Sequence, residues 1–468
     1  MPSSKTIPAP QRPRWPRITW TSSPKANSPR ILGINPWIHD FAAYGLWSRP
    51  AGLLSALSML SQCGCSVALM DTLERTWADV PWPRPHPDGR GPYPKAEIPK
   101  PAIFAQVPRR FCRYGHDPTR VQAALAALSP PPDLVLVTSI MTYWYPGVDE
   151  AVRLCRRLWP RVPVVVGGVY ATLCPEHARR LEADHCICGP LETPENWAAL
   201  WRLLGASPPS LPAHAGLRLA HELYASPDFG VILGSRGCPF ACAYCASRLL
   251  SPGFCQAPKS LVLERLGSLH AQGVRHVAFY DDALLVAPEI WLWPALAWCA
   301  EHHMTLHTPN AVHIRALTPD VCRRLWRGGV RTLRLGLETL DFNHRLDVKL
   351  TLEEWEQAVA ALHAAGFGAE HVRAYVLFGL PDEDDDATAA TIAEASRLGI
   401  PVELAFYSPI PGTPLFARAV RVSPWPLAEE PLTHNNSLWP CRPGGFSWAE
   451  AARWKTLVRQ AQRNPNPQ

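Results

Sequence analysis

The sequence lacks any uninterrupted stretch of about eighteen apolar residues, the least a helix needs to cross a bilayer. Its first thirty residues mix Pro, Ser and Arg and contain no apolar core of an export signal. Neither a membrane span nor a secretory leader is expected, and the chain reads as cytoplasmic. No block of Lys and Arg interleaves with aromatics. With a net charge of only +6 over 468 residues, the scattered basic groups cannot track a phosphate backbone, so nucleic acid is not an expected partner. Cysteine is plentiful at fourteen, but a disulfide framework belongs to short exported chains; most of these thiols are expected to be free and buried. The densest group, Cys238, Cys242 and Cys245, lacks a fourth Cys or His at regular spacing, which a closed structural zinc site needs. Cys255, from a nearby loop, is a candidate for that role.

Apolar residues, 47% of the chain, suffice for two cores, and the length exceeds one ordinary domain. The 51 prolines concentrate in the tail, in 80–108 and around 207–212, which read as loops and linkers. Residues 1–29 are polar and aperiodic, with nothing to offset the entropy of ordering them, and are expected to form a disordered tail. From Arg30 the runs "ILGIN", "SVALMD", "DLVLVTS" and "PVVVGG" alternate with the helical "PAGLLSALSMLSQCG", "GVDEAVRLCRRLW" and "HARRLEAD", interrupted by a Pro- and Arg-rich insertion. Such alternation implies βαβ units and a parallel sheet, here over 30–205. After a linker at 206–228, six strand-like runs from "VILGSR" to "VELAFY" are separated by helical segments. They predict a partial (β/α)6 barrel over 229–420, with its chemistry at the C-terminal ends of the strands. An extension, 421–468, either covers the barrel mouth or packs on the outside.

Buried parallel strands normally read as continuous apolar runs. In "RTLRLGLE", however, Leu333, Leu335 and Leu337 alternate with Arg334, Gly336 and Glu338; Arg373 and Tyr375 interrupt the next strand, and Glu403 and Tyr407 the one after. Charges facing a barrel interior are costly unless paired or bound to a ligand. The lumen therefore serves a polar cofactor or substrate, with internal pairing of Arg334 to Glu403 as the alternative.

The segment "GCPFACAYC" has the spacing C-x3-C-x2-C directly after the first barrel strand. Three thiolates on an iron-sulfur cluster leave one iron open to an exogenous ligand. "GSRGCPFACAYC" resembles the cluster motif of the radical S-adenosylmethionine (radical SAM) superfamily, including the aromatic Tyr244 before the third cysteine, and the resemblance extends to about residue 416. It implies a 4Fe-4S cluster on Cys238, Cys242 and Cys245 that chelates SAM and cleaves it to methionine and a 5'-deoxyadenosyl radical, with electrons from a donor such as flavodoxin or ferredoxin. By the same resemblance Asp281 or Asp282 in "FYDDALL" suits the SAM ammonium, Glu338 in "LGLET" contacts SAM, and Gly379 in "VLFGLPDED" lets the backbone approach adenine. Arg373, facing the lumen, joins the expected cofactor contacts. The acids Asp382 to Asp386 favour a helix N-terminus. "SPIPGTPLF" is a further family-like segment that also reads as a turn.

In the first domain Ser139-Ile140-Met141 follows one strand and Gly167-Gly168 the next. Placed ahead of such a barrel, and with "GGVYATLCPEHA", they resemble the cobalamin-binding subclass of the superfamily. The chain departs from other cobalamin proteins in lacking Asp-x-His-x-x-Gly. "NPWIHDFAAYG" stands instead, with His39 expected to be structural, and "CGPLE" replaces the acidic-glycine ending. If cobalamin binds, the loop from Trp37 to Tyr44 and the aromatics Tyr143 to Tyr145 are expected to close over the cobalt face. The expected function is methylation of an unreactive carbon using cobalamin and SAM. Alternatives are a cobalamin-independent rearrangement, oxidation or sulfur chemistry on a small molecule or peptide, and a non-catalytic metal-binding scaffold.

Overall fold

The computed structural model describes residues 18–22, 27–75, 86–341 and 350–463. Its first sheet holds β1 (Arg30–Asn35), β2 (Ser66–Asp71), β3 (Leu134–Val137), β4 (Val164–Val166) and β5 (His185–Cys186), in the order β2-β1-β3-β4-β5. Every pairing is parallel. The order reverses between β1 and β3, the kind of switch point beside which open α/β sheets bind ligands.

Local sequence sets the helices that cover this sheet. Between β1 and β2 runs α1 (Ala51–Gln62), apolar almost all round, which buries eight consecutive residues from Leu53 to Leu60. A helix buried on every side must be enclosed by more than its own sheet. The next, α2 (Tyr145–Leu158), starts with a proline in its first turn, where the missing N–H costs nothing. It buries Val148, Ala151, Val152 and Cys155, one stripe at helical spacing. Arg156 at its C-terminal end suits the helix dipole and bonds Asp184 at 2.6 Å. Each fully buried aliphatic side chain here contributes about 1.5–3 kcal/mol, so Val152→Asp would undo this face.

The second sheet is β6 (Gly230–Ile232), β7 (His276–Phe279), β8 (Thr305–Val312), β9 (Val330–Glu338), β10 (Val372–Phe378) and β11 (Val402–Phe406), in sequential order and parallel throughout. This is the expected open (β/α)6 barrel. Leu333, Leu335 and Leu337 pack outward into the helical layer, which leaves Arg334, Gly336 and Glu338 on the lumen side.

The first domain closes the floor of that lumen. Trp47 stacks on His307 of β8 with ring centroids 4.1 Å apart, and Tyr280 donates to the Trp47 carbonyl. The C-terminal extension closes the seam elsewhere. His434 bonds Thr142 at 3.0 Å and Asn435 bonds Asp40 at 2.7 Å, while Trp439 packs on Phe378 of the barrel. The extension thus ties both domains together.

Several expectations need correction. Residues 1–17 and 23–26 of the expected disordered tail lie outside the described residues. Within it, 18–22 is docked: Thr21 exchanges backbone and side-chain hydrogen bonds with Val67, and Trp20 donates to Pro130. The Pro- and Arg-rich insertion is not only loop, because Ile38–Asp40, Cys112–Tyr114 and Lys95–Glu97 form a small antiparallel sheet. "HARRLEAD" carries only the end of a one-turn helix, Pro175–Ala178. The segment read as a linker buries Leu217, Leu219 and Tyr224, so it is a packed seam. All fourteen cysteines are free, but six are buried, fewer than expected; Cys255 is exposed and the other seven are half-buried.

Candidate functional site

The three cysteines of the motif sit in one loop between β6 and the short helix Ser247–Leu250. Ser235–Arg236 at its start pairs with Cys255–Gln256, and Cys245 N–H donates to the Cys242 carbonyl at 3.2 Å. Burial pushes the Cys238 thiol up, and the nearby Cys245, Cys242 and Asp282 push it further. The Ser247 N–H points to the Cys245 sulfur at 3.5 Å. Leu415, in the "SPIPGTPLF" segment, donates to the Ala243 carbonyl at 3.0 Å and so grips the loop beside Tyr244. Among the described residues no group of three or more His, Cys, Asp and Glu side chains is arranged to hold a single metal ion. A cluster asks something different of the loop, one thiolate for each of three irons, and three half-buried thiols in one loop fit that donor set.

Beside the loop, at the C-terminal ends of β9 and β10, lies a cavity of about 490 Å³ walled by Tyr244, Glu338, Leu377, Leu380, Asp382 and Arg418. Glu338 adopts φ of +66°, a left-handed conformation that costs a non-glycine residue about 1–3 kcal/mol. The pairing of β9 with β10 shifts register between Gly336 and Glu338. This irregularity sets the carboxylate in the cavity wall. Gly379 has φ of +83°, which demands glycine. Its N–H donates to Glu383 at 2.6 Å, so that group is committed within the protein. Glu383 in turn bonds Arg442 of the extension at 2.9 Å and Thr388 at 3.1 Å.

The two neighbouring aspartates part company. Asp281 is buried and accepts from Ser235 Oγ at 2.6 Å and Gly234 N at 3.3 Å; burial raises its carboxyl to about 7. It clamps the end of β6, which leaves Asp282 as the candidate of the expected pair. Asp282 is the one beside the cluster loop, with its carboxyl raised by burial against an opposing hydrogen bond from Ser247. Arg373 is also misplaced by the expectation. It lies on the lumen side of β10 four residues before Leu377, roughly 13 Å along the strand from the cavity.

A second cavity, about 260 Å³, opens between α1 and the C-terminal ends of β3 and β4. Gly52, Met59, Thr138, Gly167 and Gly168 line it, and Arg236 at the start of the cluster loop and Leu250 of the short helix after it complete the wall. A β-carbon at Gly52 or Gly189 would meet no atom within 4 Å, so the cavity is open beside both. At Gly168, φ is +89° and a β-carbon would stand 2.6 Å from Thr138 Oγ1. The apolar, glycine-walled space fits the apolar portion of a corrinoid. The Ser139 hydroxyl is spent on the Met141 carbonyl at 2.8 Å, within its own loop. His39 bonds Glu150 at 2.8 Å, which Arg113 also holds, a structural position as expected. The aromatics Tyr143 to Tyr145 pack under the C-terminal extension: Thr142 is bonded to His434, and Glu430 raises the Tyr145 hydroxyl in addition to burial.

Sequence reasoning missed Arg236, Glu192 and Arg442, and read Glu383 only as one of the acids at a helix N-terminus. Arg236 and Glu192 form an ion pair on the rim of the second cavity, joining the cluster loop to the first domain. The position of Arg236 two residues before Cys238 was a usable signal.

The structure is thus an open parallel barrel with a three-thiol loop at its strand ends, abutting a doubly wound domain with a glycine-walled cavity. The model of the radical SAM superfamily matches residues 232–395, and that of the B12-binding domain matches 114–196. The chain is a radical SAM enzyme carrying a B12-binding domain ahead of its barrel. It is 24% identical over 326 residues to an uncharacterized methyltransferase of Pyrococcus horikoshii, covering 62% of this chain and 70% of that protein. Among solved structures it resembles the radical SAM methyltransferase TsrM from Kitasatospora setae with tryptophan substrate and a SAM analogue bound. The TM-score is 0.62 at 17% identity, over 85% of this chain and 78% of that one. The same enzyme with cobalamin and a 4Fe-4S cluster gives 0.60 at 16% identity, over 85% and 76%. Among the described residues no helix is long and apolar enough to cross a membrane.

Proposed function

We propose that this enzyme methylates an unactivated carbon of a small molecule, using SAM, a 4Fe-4S cluster and cobalamin. The observation that carries the reading is the second cavity, because Arg236 of the cluster loop and Leu250 of the helix after it wall the same space as Gly167 and Gly168 of the B12-binding domain. A cofactor seated there adjoins the cluster loop directly. Cys238, Cys242 and Cys245 hold the cluster. Tyr244 and Leu377 offer an apolar wall to the adenine of SAM, and Glu338 a carboxylate to its polar groups. Asp282 places a negative charge near the cluster for the SAM ammonium. Gly167 and Gly168 let the corrinoid lie against the backbone. When bound, these groups supply an electron for SAM cleavage and a carrier for a methyl group. An external donor such as flavodoxin or ferredoxin delivers the electrons, in the cytoplasm.

The test is anaerobic preparation of the full chain, with iron, sulfide and cobalt quantified, followed by SAM and reductant. Retained iron and cobalt, with S-adenosylhomocysteine formed alongside 5'-deoxyadenosine, is the expected result. Deoxyadenosine alone, without cobalt, would leave a radical SAM enzyme of another chemistry.

A further inference from the structure

The lumen below the SAM cavity carries charges that the site described so far does not use. Arg334 and Arg373 are Cα partners on adjacent parallel strands, β9 and β10, and both belong to the lumen side. Neighbouring parallel strands lie about 4.8 Å apart, so the two arginine side chains leave the same wall from adjacent positions. The Arg334 side chain is only 6% exposed, and its buried Nε has no hydrogen-bond partner. Its closest carboxylate, Glu403, stands at 3.6 Å, beyond hydrogen-bond length, with a side chain 45% exposed on the edge strand β11. Among the described residues the side chain of Arg373, half-buried, makes no hydrogen bond or ion pair. Two like charges on one wall repel, and a buried guanidinium with an orphaned donor is costly unless an anion completes it.

The expected Arg334–Glu403 pairing exists, yet it neutralises one arginine at most. Tyr375, between Arg373 and Leu377 on the same face, donates its hydroxyl to the Pro309 carbonyl at 3.2 Å and so carries no countercharge. The wall therefore holds two cations and one anion.

Resting on the methyltransferase reading of the site, we propose that this wall binds the substrate, which is a free amino acid. Its carboxylate bridges Arg334 and Arg373, and its ammonium faces Glu403. Planar guanidinium groups match a carboxylate with paired, charge-assisted hydrogen bonds. Glu403 disfavours a dianion such as a phosphate ester and suits an ammonium instead. With the charged end held at mid-lumen, the side chain extends toward the strand ends, where the cavity beside the cluster loop lies. Arg373 and Glu403 are thus specificity-determining groups.

The test is equilibrium dialysis of the anaerobically reconstituted full chain against the twenty protein amino acids, their methyl esters and their des-amino acids, with retained compounds read by mass spectrometry. At least one amino acid should be retained, and its methyl ester should bind tenfold or more weaker. Arg373→Gln should weaken retention tenfold or more, and Arg373→Lys less, with iron content, cobalt content and SAM binding unchanged. Glu403→Gln should remove the preference for the amino acid over its des-amino counterpart. Arg373 is the variant of choice because it is half-buried and supports no contact that folding needs. Retention of nothing, equal retention of esters and acids, or unchanged retention in Arg373→Gln would each overturn the proposal. A wild-type protein that cleaves SAM and keeps cobalt but retains no amino acid sinks this assignment alone. One that does neither sinks the methyltransferase reading.

Discussion

Asn435 Nδ2 donates a 2.7 Å hydrogen bond to Asp40 Oδ1, joining the C-terminal extension to the segment between β1 and α1 of the first domain across 395 positions. Both residues are buried, and Trp144 Nε1 bonds the other Asp40 oxygen at 2.7 Å. Asn435→Ala leaves Asp40 short of one donor in a buried site, which costs about 1–3 kcal/mol. Thermal melting should fall accordingly, and hydrogen exchange should rise across both 430–440 and 141–145 if the two segments are coupled as described.

Arg442 is the second tie. It pairs with Glu383 and Asp385, each at 2.9 Å, and with Glu450, while Glu383 holds the Gly379 N–H beside the SAM cavity. Arg442→Ala strands a buried carboxylate, a loss of about 3–5 kcal/mol. Calorimetry should show that loss, together with a raised KM for SAM. Glu383→Gln should share the KM effect with less destabilisation, because the amide needs no countercharge.

At Gly168 the backbone has φ of +89°, and an added β-carbon would press on Thr138 Oγ1 and the Ser139 carbonyl. Gly168→Ala should cost about 1–3 kcal/mol through strain. It should also lower the cobalt retained by the purified protein while leaving iron and sulfide unchanged. Unchanged cobalt would count against the second cavity as the corrinoid site.

Burial raises the Asp281 carboxyl from an ordinary 3.8 to about 7. An acid with a raised folded-state pKa contributes stability below its unfolded pKa and loses it as pH climbs through the folded value. Between pH 4 and 7 the wild type should therefore lose stability relative to Asp281→Asn, whose side chain does not titrate. Melting temperatures of both proteins across that range provide the check.

Much of this arrangement was legible before the structure. The six strand runs of the barrel are its six strands, because parallel strands flanked by amphipathic helices leave an unmistakable alternation. The polar interruptions at Arg334, Arg373 and Glu403 marked the lumen side, since strand periodicity fixes which residues share a face. What could not be read were contacts whose partners lie far apart in sequence. Nothing local distinguishes Asp281, spent on Ser235, from Asp282, near the cluster loop. Only the folded path of β6 and β7 separates them. The docking of Thr21 on Val67 and the small sheet around Cys112–Tyr114 were hidden for a related reason, as both depend on pairing with distant edges and not on local propensity.

The central claim is that three thiols hold a cluster with an iron left open to SAM, and one measurement tests it most directly. Anaerobic, reduced full-length protein is examined by electron paramagnetic resonance before and after SAM, with deoxyadenosine quantified in the same sample, for the wild type and Cys242→Ala. The account predicts an iron-sulfur signal that shifts when SAM is added and deoxyadenosine that accumulates, both lost in Cys242→Ala. A wild-type signal indifferent to SAM, or deoxyadenosine formed undiminished by the variant, would contradict it.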